Sequence, residues 1–91
     1  MTRRRYPPFP ATPPTTRLLR AVGDLQRRNP DDAPVSDMRA LGRAAVMQRA
    51  ALPAMTAHGV KMGYLEEDVS AAVGLTTKGL RWYLRDREQR E

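Results

Sequence analysis

Eight prolines punctuate this 91-residue chain, and five of them (Pro7, Pro8, Pro10, Pro13 and Pro14) fall within the first fifteen positions. Proline fixes φ and removes a backbone donor, so a stretch this dense supports neither a helix interior nor a central strand. Residues 1–15 are therefore expected to form an extended, flexible Pro/Arg-rich arm, which leaves residues 16–91 for a helical domain. A core of that size is marginal and leans on well-packed helices or on a partner. The chain has no cysteine and a single histidine, His58. Disulfides and thiolate metal sites are thereby excluded, and neither a metal site nor a cofactor is expected. No run approaches the roughly 18 apolar residues of a membrane helix. The arginines at 3–5 are followed by Tyr6-Pro7-Pro8-Phe9-Pro10 rather than an apolar stretch, so no signal peptide is read and a cytoplasmic location is expected.

The formal net charge of +6 is unevenly distributed. Residues 1–29 carry +6, residues 30–68 carry −2 and residues 69–91 carry +2. Basic ends around an acidic middle favour a polyanionic partner. Fourteen of the sixteen basic residues are arginine, whose planar fork suits phosphates and guanine edges. A codon bias toward Arg and Ala would produce the same preference.

Beyond the arm, start and stop signals divide the chain into helices. Thr15-Thr16 offers an N-cap to a run in which Leu18, Val22 and Leu25 share one face. Asn29-Pro30 ends it, because a residue before proline avoids the helical region. Ser36-Asp37 is a second start, followed by an Ala-, Leu-, Met- and Arg-rich helix from Met38 to about Leu52. Pro53 either kinks that helix or begins another at its first position. Residues 54–58 supply one more turn, closed at Gly59. Residues 60–64 read as a short connection or a few extended residues. Leu65–Val73 is expected to be helical, with Glu66, Glu67 and Asp68 complementing its dipole and Gly74 stopping it in a left-handed conformation. Thr76 then caps a last helix over Thr77–Arg90. No alternating strand pattern appears, and the expected class is all-α.

Counted from Gly74 as a turn glycine, Val69, Val73, Leu75, Leu80 and Tyr83 fill the apolar positions of a helix-turn-helix, and Ser70 supplies the small residue at the crossing. The run Gly74-Leu75-Thr76-Thr77-Lys78-Gly79-Leu80-Arg81-Trp82-Tyr83-Leu84 resembles the turn and recognition helix of MerR-family regulators. It is also similar to the corresponding turn of TetR-family regulators. The resemblance covers residues 65–84 and implies a C-terminal helix-turn-helix that binds double-stranded DNA.

On the last helix, Leu80, Tyr83 and Leu84 are expected to face the core. Lys78, Arg81 and Arg85, with Trp82 at the edge, are expected to face a major groove, where arginine bonds guanine bidentately. Thr76 and Thr77 sit at the helix N-terminus, where hydroxyls and free N–H groups suit a phosphate. Gly79 permits close approach either to DNA or to the preceding helix. Arg3, Arg4 and Arg5 are candidates for minor-groove or phosphate contacts. The expected function is sequence-specific DNA binding by a transcriptional regulator or a phage or mobile-element accessory factor. A homodimer is expected, through Leu18/Val22/Leu25 or the Met38–Leu52 helix. The alternative is a helical protein-interaction module, adaptor or inhibitor, that contacts a protein partner through Met47, Met55 and Met62. With no nucleophile–base pair and no phosphate-cradling glycine loop, no enzyme is expected.

Overall fold

The computed structural model describes residues 13–90. In chain order these form α1 (Pro14–Arg28), α2 (Met38–Ala45), α3 (Leu52–Lys61), β1 (Leu65–Glu67), β2 (Val73–Leu75) and α4 (Thr77–Arg90). Single 3-10 turns occur at Pro30–Asp32 and Arg49–Ala51. The expected helical domain is present, and α4 has the anticipated limits. Its first helix starts earlier than expected, with Pro14 at a first-turn position where a missing N–H costs nothing. The Arg3–Arg5 arm lies outside the described residues.

The all-α expectation is corrected by a β-hairpin. β1 and β2 pair antiparallel with Leu65 opposite Leu75, Glu66 opposite Gly74 and Glu67 opposite Val73. Val35 adds a one-residue third rung, exchanging two 2.8 Å backbone hydrogen bonds with Val73. The helix expected over 65–73, and with it the helix-turn-helix at 65–84, is absent. The physical reason is local. Oδ1 of Asp68 accepts the backbone N–H of Ser70, the Ser70 hydroxyl and the backbone N–H of Ala72, so the side chain organises a turn where a helix would have begun. Gly74 is extended within β2, and the left-handed residues among those described are Val46, Gly63 and Ala71. Ser70 and Val69 lie in the hairpin loop, and Val69 is fully exposed.

The expected Met38–Leu52 helix is likewise two elements. α2 ends at Ala45, and Val46 turns left-handed at φ 54°. The Val46 N–H donates to Arg43 and the Met47 N–H to Gly42, which closes the helix end as a Schellman motif. α3 starts at Leu52 with Pro53 in its first turn and runs through the buried Gly59 to Lys61, so His58 does not end it.

Helix α1 is the spine of the molecule. Leu18, Leu19, Ala21 and Val22 are buried against Leu41 and Ala45 of α2, Leu52 of α3, and Val35, Leu65 and Val73 of the sheet. Leu18 and Val22 are fully buried, so this face belongs to the core and not to a dimer interface. Polar side chains of α1 reach α2, α4 and β2. Arg17 Nε donates to the Ala45 carbonyl at 2.9 Å, capping the C-terminus of α2. Both fork nitrogens of Arg20 bond Asp86 at 2.8 Å. Asp24 accepts the Tyr83 hydroxyl, and the Gln26 amide oxygen accepts the N–H of Leu75. Gly23 lets the Tyr83 ring lie directly on α1, where any Cβ would overlap it.

Candidate nucleic-acid interface

The start of α4 is built around Thr76. Its hydroxyl donates to the Gly63 carbonyl at 2.5 Å and accepts the N–H of Gly79 at 3.1 Å, an N-cap that also ties the helix to the loop after α3. The hydroxyl is thus committed to structure, and the expected phosphate role of Thr76 is replaced by this one. Gly79 packs against the Tyr64 carbonyl. Its missing side chain serves close approach to the preceding segment and not to DNA. Thr77 is exposed at the first turn.

From this start, α4 turns one face toward Tyr64. Lys78, Arg81, Trp82 and Arg85 line a cleft of about 200 Å³ together with that tyrosine. Lys78 Nζ donates to the Met62 carbonyl at 2.9 Å and stands 4.6 Å from the Tyr64 ring centroid, a cation–π contact. The Tyr64 and Trp82 rings are tilted by 60° at 6.4 Å. Four of the site residues read from the sequence are therefore brought together, and Tyr64 joins them. The rest of the expected face is different: Tyr83 is buried at 1% exposure, whereas Leu80 and Leu84 are each 47% exposed. Tyr83 takes the inward position alone because Gly23 admits its ring. Burial, followed by the Asp24 carboxylate, pushes its hydroxyl above the ordinary tyrosine pKa.

A second surface was not singled out from the sequence. α2, a six-residue connection and α3 follow one another in the chain, and both helices pack on α1. Asp37 caps α2 by accepting the Ala40 N–H at 3.0 Å. On α3, Ala54, Ala57, His58 and Lys61 follow an i, i+3, i+4, i+7 spacing and are all exposed, while Leu52, Thr56 and Gly59 are buried. Arg39 and Arg43 of α2 and Arg49 of the connection are exposed too. Residues 36–61 carry four basic side chains against one acidic. The adjacent hairpin has the opposite character, with Glu66, Glu67 and Asp68 all exposed. Hydrogen bonds from Ser70 and from the Ala72 backbone hold the Asp68 carboxyl below its ordinary range.

Among the described residues, no cluster of three or more His, Asp or Glu side chains is arranged to hold a metal ion, and no helix is long and apolar enough to cross a membrane. No family model, curated protein or solved structure matches the chain.

Proposed function

We propose that this protein binds double-stranded DNA, with α2 and α3 as its helix-turn-helix and the β1–β2 hairpin as a flanking wing. The observation that carries the reading is the outer face of α3. It is exposed, it is built from small and polar residues, and Arg39, Arg43 and Arg49 of the preceding segments are exposed as well. Ala54 and Ala57 allow the helix backbone to approach base edges and suit thymine methyls, while His58 and Lys61 supply hydrogen-bonding ends. Arg39, Arg43 and Arg49 lie where phosphates on either side of a groove would be met. Lys78, Arg81 and Arg85 extend the basic surface along α4. The hairpin, being acidic, adds no phosphate contact and limits how the duplex can lie.

The test is fluorescence anisotropy with a labelled duplex over a series of salt concentrations. Binding is expected to weaken steeply with salt, as counterion release from several phosphates requires. Arg39→Ala and Arg49→Ala should each weaken binding at every salt concentration and lower the salt slope by about one. Undiminished binding by both variants would refute the assignment of the surface.

A second reading is favoured by one feature. The acidic hairpin with its exposed Val69 tip, and the exposed Val60, Met62, Leu80 and Leu84, resemble a protein-contact surface more than a DNA-contact surface. On this reading the molecule is an adaptor or inhibitor of a protein partner. It predicts no duplex binding even at low salt.

A further inference from the structure

Between the helix-turn-helix and the hairpin lies a cavity of about 170 Å³ lined by Met38 of α2, Leu52, Pro53 and Thr56 of α3, and Val73 and Ala71 of the hairpin, with Arg49 and Glu67 also contributing. Its lining is mostly apolar, yet two features have no explanation within the chain. Thr56 is 3% exposed, and its hydroxyl makes no hydrogen bond among the described residues. A buried hydroxyl normally finds a partner, so an unpaired one at a cavity marks a position that a ligand atom can fill. The charged residues at the cavity are of opposite sign and both exposed, and no ion pair joins them.

We propose that this cavity binds a free apolar α-amino acid. The side chain fills the space among Met38, Leu52 and Val73, the carboxylate meets Arg49, the ammonium meets Glu67, and the Thr56 hydroxyl bonds the carboxylate. Charge complementarity selects a zwitterion, since a simple acid would leave its anionic end beside Glu67 and a simple amine would leave its cationic end beside Arg49. Size agrees: drug-sized ligands take about 300–1,000 Å³, and this space suits one branched or aromatic side chain. The site touches both reading helices and the wing, but its existence does not depend on DNA binding.

The experiment is an amide-resolved NMR titration of the full chain with L-phenylalanine and L-leucine, beside 3-phenylpropionate and phenethylamine as probes lacking one charge. Saturable shifts confined to residues around Met38, Leu52, Thr56 and Val73 are expected for the amino acids. Each single-charge probe should bind weaker by on the order of tenfold, as loss of one charge-assisted hydrogen bond implies. Arg49→Gln and Glu67→Gln sit on the surface and leave the core untouched. Each should weaken L-phenylalanine similarly, and Thr56→Val should weaken it while preserving shape. Absence of saturable shifts at millimolar amino acid, shifts elsewhere, or equal binding of 3-phenylpropionate would each overturn the proposal. Because the titration contains no DNA, its failure leaves the duplex-binding test unaffected, and the reverse holds.

Discussion

Replacing Gly79 with alanine gives opposite answers depending on whether α4 is an isolated helix or is seated as described. In an exposed helix interior, Gly→Ala is favourable by about 1 kcal/mol. Here an added Cβ would meet the Tyr64 carbonyl carbon at 3.0 Å and Leu75 Cδ2 at 3.1 Å, and would overlap the Tyr64 carbonyl oxygen outright. The obstacle is backbone and cannot rotate away, so α4 must move off the loop. Overpacking of this kind costs about 1–3 kcal/mol. The displacement also disturbs the Thr76 cap, whose bonds to Gly63 and Gly79 fix the same junction, for about 0.5–2 kcal/mol more. Offset by the propensity gain, the net loss is about 0.5–4 kcal/mol. At about 4–8 °C per kcal/mol for a domain of this size, thermal unfolding followed by circular dichroism should show a clear drop in Tm. A Tm unchanged or raised would refute the seating of α4 on Tyr64.

Val46 is 57% exposed and left-handed at φ 54°. A left-handed non-glycine residue costs roughly 1–2 kcal/mol, and the relief that glycine brings is partly offset by its larger unfolded-state entropy. Val46→Gly should therefore stabilise the fold by about 0.5–1 kcal/mol, read as a higher urea midpoint at an unchanged m-value, and a lowered midpoint would count against the turn. The Arg20 guanidinium holds the Asp86 carboxyl below its ordinary range. Its contribution to stability is complete above the unfolded carboxylate value of about 3.9 and is lost as pH falls through the depressed folded value. Asp86→Asn should thus lower stability at neutral pH and flatten the acid limb below about pH 4 in urea titrations; parallel limbs would show that the pair contributes nothing. For the α4 cleft, Lys78→Ala, Arg81→Ala and Arg85→Ala should each reduce the salt slope of duplex binding by at most about one, and unchanged slopes in all three would remove α4 from the interface.

The legible parts of the fold are those whose boundaries carry a chemical mark. Asn29-Pro30 stops a helix and Asp37 starts one where expected, and Pro53 marks the start of another to within one residue. Lys78, Arg81, Trp82 and Arg85 converge because helical spacing alone places them on adjoining faces. The boundary between α2 and α3 was hidden because the residue that turns the chain there is Val46, a β-branched side chain in a position that normally calls for glycine. The hairpin was hidden for a different reason. Its strands are three residues each, too short to display alternation, and Glu66-Glu67-Asp68 mimics an acidic helix start. What decides against the helix is the tertiary context of Leu65 and Val73, both buried in the core, together with the Asp68 turn. The helix-turn-helix template at 65–84 was satisfied by apolar spacing, yet Leu80 and Leu84 were free to remain exposed, because spacing alone does not determine which residues become buried.

The arrangement of α1 has a kinetic consequence. Its bonds to Ala45, Leu75, Tyr83 and Asp86 join residues 28 to 66 positions apart, so each closes a long loop before it gains any contact energy. During synthesis the apolar face of α1 stays incompletely covered until Leu65 and Val73 have emerged, and Gly23 stays open until Tyr83 follows them. In hydrogen exchange, the amides in the middle of α1 and those of Val35 and Val73 should therefore open together, at the free energy of global unfolding.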